Sequence, residues 1–110
     1  MANEDKYLPP IHPGEILKED FLQPLRMSQS QLAKELGVEV KVVREIVQRR
    51  RSIDADMAMR LSRFWGMSVE FWLGLQADYE RDCVRYAEQT QPPDRLAFIR
   101  RFVPRGAAAL

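Results

Sequence analysis

The stretch that most constrains this chain is Ser28-Gln-Ser-Gln-Leu-Ala-Lys-Glu-Leu-Gly37-Val-Glu-Val-Lys-Val-Val-Arg-Glu-Ile-Val-Gln-Arg-Arg-Arg51-Ser-Ile53. Ser28 and Gln31 have the spacing of a capping box, in which a hydroxyl and an amide side chain satisfy the free backbone N–H groups at a helix start. Leu32 and Leu36 then share one face at i, i+4 with small Ala33 between them, and Gly37 ends the helix because it tolerates a left-handed backbone. A second helix places Val43, Ile46 and Val47 on an inward stripe and leaves Lys41, Arg44 and Glu45 on other faces, free to meet a partner. Two short helices around a glycine turn, followed by a triple arginine, have the layout of a helix-turn-helix, whose second helix enters the DNA major groove. A two-helix hairpin is also ordinary packing in an all-α domain. The coincidence of small residue, turn, stripe and basic run favours the nucleic-acid reading.

The remainder of the chain offers little alternative chemistry. One hundred and ten residues make room for one domain, and 45% hydrophobic residues suffice for a core. A single cysteine, Cys83, and a single histidine, His12, give no internal disulfide and no zinc cluster. No nucleophile–base set, metal cluster or glycine-rich phosphate loop can be assembled, so no catalytic residue, no metal and no cofactor is expected. The amino-terminal residues lack the apolar core of a signal peptide, and no stretch is long enough to span a membrane, so the expected location is the cytoplasm. The net charge is only +1, so placement matters more than the total. Residues 1–27 balance at −2, 28–63 at +3 and 64–110 at 0. That distribution assigns a phosphate-binding face to the middle segment.

In chain order, residues 1–12 with Pro9 and Pro10 read as an extended arm, and residues 13–88 as the folded domain. Pro13 suits a first helical position, His12 a helix start, and Glu15 and Glu19 favour the positive end of the helix dipole. Leu17 and Phe21 with Ile16 form the first core ridge, and Pro24 should end the helix at Gln23. Asp54 is the expected cap of a fourth helix carrying Met57, Leu61, Phe64 and Trp65 inward, with Arg60 and Arg63 pointing elsewhere. Gly66 stops that helix, Ser68 caps the next, and the last helix runs to about Glu88. The aromatic string reads as core packing rather than base stacking, and Cys83 as a small hydrophobe. A domain this small cannot easily bury all of Trp65, Phe71, Trp72, Leu75 and Tyr79, so these form the expected dimer surface. Residues 89–110 read as a linker and a short amphipathic tail with Leu96, Ile99 and Val103 on one side, which folds back on the domain or a symmetry mate, or docks on a partner.

Taken together, His12-Pro13-Gly14-Glu15-Ile16-Leu17, Ser28-Gln-Ser-Gln-Leu-Ala-Lys-Glu-Leu-Gly-Val38, Ser52-Ile53 with Met57-Ala58-Met59-Arg60-Leu61, and Trp72-Leu73-Gly74-Leu75-Gln76 with Tyr79 resemble the HigA/VapI antitoxins of the phage-repressor-like helix-turn-helix class. The match covers about residues 11–82. The resemblance implies an all-α, five-helix lambda-repressor-like domain that forms a homodimer, binds a palindromic operator in its own promoter, and holds a small HigB/RelE-like ribonuclease toxin inactive. It also implies that Gln29 and the amides after Ser28 hold phosphate, that Glu39, Val40, Lys41 and Arg44 face the major groove, and that Arg49 and Arg50 contact the backbone beyond. The chain departs from the family pattern at Glu39, where a serine or threonine is common, and at Gln48-Arg49, where an Asn-Gly turn is common. A carboxylate at Glu39 repels phosphate but accepts a hydrogen bond from cytosine N4. Arg51 either pairs with an acidic side chain such as Glu15 or Asp54 or contacts phosphate. Two other readings keep the fold: a stand-alone transcriptional regulator, and a protein-interaction module that does not bind DNA.

Overall fold

The computed structural model describes residues 8–90 and 95–106. The linker residues 91–94, and the ends 1–7 and 107–110, lie outside them. Five helices and no strand occur among the described residues.

Helix α1 begins at Pro13 and ends at Leu25, in three consecutive segments: α-helical Pro13–Ile16, π-helical Leu17–Leu22 and α-helical Gln23–Leu25. His12 caps it. The imidazole Nδ1 accepts from the Gly14 N–H at 2.9 Å, and Glu15 accepts from the His12 N–H at 3.2 Å. Pro24 does not stop the helix as the sequence suggested. The Gln23 N–H donates to the Lys18 carbonyl, five residues back, and this wider turn shifts the carbonyl register in which a proline ring normally collides. The helix closes instead at Arg26, in the left-handed region at φ 53°.

Helices α2 (Gln29–Leu36) and α3 (Val40–Val47) form the hairpin. Ser28 Oγ accepts from the Gln31 N–H at 3.0 Å and Gln31 Oε1 from the Ser28 N–H at 2.8 Å, so the capping box is complete. Gly37 takes φ 71°. Helix α4 (Ala55–Trp65) starts on Asp54, which accepts from the Met57 N–H, and ends on left-handed Gly66. Ser68 Oγ accepts from the Phe71 N–H at the start of α5 (Val69–Thr90), which runs two residues beyond the expected end. Every cap foreseen from the sequence is formed, because each is a contact over three or four residues.

The core gathers Leu17 and Leu22 of α1, Leu32, Ala33 and Leu36 of α2, Val43 and Ile46 of α3, Ile53, Met57, Ala58 and Leu61 around α4, and Trp72 of α5. Trp72 corrects the expected dimer surface: it is 0% exposed. Phe21 of α1 lies 5.0 Å from it and 4.8 Å from Trp65, ring centre to centre, while Phe71 packs edge-on against Trp72 at 5.0 Å. One aromatic from α1 thus closes the cluster that the α5 pattern alone left open. Trp65, Leu75 and Tyr79 are partly buried, and only Phe71 of the five is exposed.

Two long-range hydrogen-bonded ties and one close backbone approach complete the fold. Buried Gln76 accepts from the Ile53 N–H at 2.8 Å and donates to Glu80, tying the α3–α4 loop to α5. Arg60, which the sequence left pointing elsewhere, donates to the Leu36 carbonyl at 2.7 Å and holds the end of α2. Gly14 lies directly against the Ile46 backbone, so that a Cβ there would overlap the Ile46 carbonyl oxygen. That close approach seats α3 on the start of α1. Beyond residue 94, the tail forms a turn over Arg95–Phe98.

Candidate nucleic-acid interface

The hairpin presents its outer side chains from a rigid base, since Val43 and Ile46 of α3 are buried and the Gly37 turn is held by Arg60. Glu39 stands at the N-cap of α3 with extended backbone, and its carboxylate makes no capping hydrogen bond. It is therefore available at the front of the helix. Lys41 is 70% exposed and 4.0 Å from Glu45. Arg44 is exposed and has no ion pair among the described residues. Val40, expected at the same front, is half-buried and packs against the core, so its surface available to a groove is small.

Glu45 is not free, contrary to the reading of its face. Arg51 donates through Nε and Nη2 to one Glu45 oxygen at 2.9 and 2.7 Å, and Lys41 approaches the other. The Arg51 hydrogen bond holds the Glu45 carboxyl below its usual range, so Glu45 is anionic. Arg51 is thus a strut, and its partner is neither Glu15 nor Asp54. The reason is the turn after α3, which reverses the chain and returns residue 51 to the outer face of its own helix. In that turn Arg49 adopts φ 64°, in the left-handed region that Asn or Gly fills at little cost. Its guanidinium lies 3.8 Å from Glu15. Arg50 is exposed and has no ion pair among the described residues.

At the other end of the hairpin, the Ser28 hydroxyl is engaged by the Gln31 N–H. The Gln29 and Ser30 amides lie in the first turn, where backbone N–H groups have no intrahelical acceptor. Lys18 and Arg26 line the same open hollow as Ser28 and Gln29. The sequence reading missed both cations: Lys18 belongs to α1 and only folding brings it beside the start of α2, while Arg26, two residues before Ser28, is the left-handed residue that closes α1. The structure therefore shows two groups of exposed cations, one at the α2 start and one along α3 and its following turn. No cluster of metal-ligating side chains occurs among the described residues, and no helix there is long and apolar enough to cross a membrane.

The chain and its fold resemble known proteins. A helix-turn-helix family model, HTH_3, matches residues 18–72, from within α1 to buried Trp72. Virulence-associated protein I of Dichelobacter nodosus is 44% identical over 82 residues, covering 74% of this chain and 73% of that protein. Among solved structures, the Pseudomonas aeruginosa antitoxin HigA with higBA promoter is 43% identical with a TM-score of 0.69, covering 74% of this chain and 89% of that one. The antitoxin GraA in complex with its operator is 38% identical with a TM-score of 0.76, covering 91% and 98%. The resemblance to HigA/VapI antitoxins read from the sequence is thus borne out in both sequence and fold. With half its length inside the family model and a relative this similar over most of both chains, the protein belongs to the XRE-type helix-turn-helix family HTH_3.

Proposed function

We propose that this chain is an antitoxin that, as a homodimer, binds operator DNA to repress its own operon and holds a small HigB/RelE-like ribonuclease toxin inactive. The observation that carries the reading is the likeness, at 38–43% identity, to antitoxins solved with promoter or operator DNA. The exposed cations of the hairpin supply the physical means. Affinity comes from neutralising phosphates, through Arg49, Arg50, Gln29 and the amides after Ser28. Sequence is read by the few side chains that reach base edges: Lys41 and Arg44 toward guanine acceptors, and Glu39 toward the cytosine amino group. Val40 contributes a small apolar contact. Two domains related by a two-fold axis present their reading helices about 34–36 Å apart, one turn of DNA, so dimerisation is part of recognition. The role is binding rather than catalysis.

The test is a salt titration of operator binding with the upstream DNA of the gene. Lys41→Ala with Arg44→Ala is expected to weaken binding roughly 30-fold or more, from about 1 kcal/mol or more at each residue, with helicity and molecular mass unchanged. Unchanged affinity and salt slope would remove α3 as the reading helix. Absence of any salt-sensitive complex with the unaltered chain would favour the protein-interaction module instead. Co-purification with the product of a neighbouring small reading frame tests the toxin half of the proposal.

A further inference from the structure

The neutral balance of residues 64–110 conceals two opposed surfaces. Helix α5 carries Glu70, Asp78, Glu80, Asp82 and Glu88 against Arg81 and Arg85, a net −3. Residues 95–106 carry Arg95, Arg100, Arg101 and Arg105 with no acidic residue, a net +4. Each surface also has an uncovered apolar component. Where the Pro9-Pro10 arm crosses α1 and α5, a groove of about 450 Å³ is lined by Pro10, Ile16, Leu75 and Tyr79, with Asp78 and Asp82 at its edge. In the tail, Phe98 and Phe102 are each 79% exposed, Ile99 62% and Val103 57%. Four large apolar side chains this open within twelve residues form a patch that soluble proteins ordinarily cover.

We propose that the tail of one copy, residues 95–106, docks in the arm–α5 groove of a second copy, Phe98 and Phe102 entering it and the tail arginines facing Asp78 and Asp82. The proposal rests on the homodimer reading above and names the contact that makes the dimer. Among the described residues of one copy, the groove stays open and Phe98, Ile99, Phe102 and Val103 stay exposed, and two complementary surfaces on one chain pair reciprocally across a two-fold axis. Leu75 and Tyr79, which the sequence marked for the dimer surface, are then buried by the partner's tail. Asp78 and Asp82 already face Arg81 at 3.3 and 3.0 Å. Those are exposed pairs along one helix, of the kind that contributes little, so exchanging them for tail arginines costs little. The aromatic side chains supply the affinity and the charges set the register.

Mixed-copy nuclear magnetic resonance tests this on the full chain. One sample carries a spin label attached at position 97, through Ala97→Cys in a Cys83→Ser background; it is mixed with an unlabelled-tail copy enriched in nitrogen-15. The expected result is loss of amide intensity at Ile16, Leu75, Tyr79 and Asp82 of the enriched copy. That loss is reversed by Phe98→Ser with Phe102→Ser, and weakened by Asp78→Arg with Asp82→Arg or by about 0.5 M salt, where screening falls to a few ångströms. A dimeric mass without this loss overturns the proposal and leaves the homodimer standing. A monomeric mass overturns both. In a second sample, label and nitrogen-15 are carried by the same chain diluted into unlabelled, unenriched chain; loss at these amides there, without loss in the mixed-copy sample, shows the tail folding on its own domain, which overturns the second copy as occupant. Circular dichroism on each variant confirms that the helices persist.

Discussion

Replacing Gly14 by alanine sets two physical effects against each other. Gly14 is in the first turn of α1, has no positive φ, and by helix propensity alone would gain at most about 1 kcal/mol from the change. The structure reverses that sign. A Cβ there would overlap the Ile46 carbonyl oxygen and stand 2.7 Å from the Ile46 carbonyl carbon, and both are backbone atoms of α3 that no rotamer change can move. Relief requires α1 and α3 to separate, which loosens Leu17 against Val43 and Ile46, all buried. Overpacking of this kind costs about 1–3 kcal/mol, and the lack of a yielding side chain places it at the upper end. We expect Gly14→Ala to destabilise by about 3 kcal/mol, a fall in Tm on the order of 12–24 °C for a domain of this size. Gly74 is the internal control. It lies inside α5 with nothing within 4 Å of its would-be Cβ, so Gly74→Ala should stabilise by about 0.5–1 kcal/mol. Urea unfolding followed by far-ultraviolet circular dichroism and by tryptophan fluorescence measures both. Gly14→Ala as stable as the parent chain would refute the close approach that seats the reading helix.

Three further outcomes follow from polar contacts. Burial lowers the pKa of His12, Arg49 pushes the same way, and Glu15 opposes. The unfolded chain therefore binds more protons just below the ordinary histidine value. Stability should be complete above about pH 6.5 and fall as pH drops toward the lower folded value; urea midpoints from pH 8 to 5 should show this, and His12→Asn, which keeps a cap acceptor, should flatten that part of the curve. Arg49→Gly should leave stability unchanged or raise it by up to about 1 kcal/mol by relieving the left-handed arginine, while reducing the salt slope of operator binding by about one. A fall in stability of more than about 1 kcal/mol would show that the Glu15 contact outweighs the strain. Gln76→Leu should cost about 1–3 kcal/mol by orphaning the buried Ile53 N–H; an equilibrium unfolding curve identical to the parent's would show that this tie between loop and α5 is dispensable.

What the sequence by itself determined are features decided within three or four residues. The Ser28–Gln31 box, Gly37, Asp54, Gly66 and Ser68 delimit helices because a cap is a contact between near neighbours, and their positions are visible as residue types at fixed spacing. The inward stripes of α2 to α4 were legible for the same reason, as was the basic run that marks the hairpin's outer side. Tertiary structure alone decided which groups meet across longer separations. Trp72 had the pattern of an exposed dimer residue until Phe21, fifty-one positions earlier, packed against it. Arg51 had three candidate partners and found a fourth, because the left-handed turn at Arg49 returned it to Glu45. Lys18 joined the start of α2 from another helix, and Gln76 reached a loop twenty-three residues away. Averaging charge over a third of the chain likewise erased the contrast between acidic α5 and the basic tail, because net charge carries no geometry. Periodicity and capping record local chain geometry, whereas burial and ion pairing depend on distances that exist only after the helices have packed.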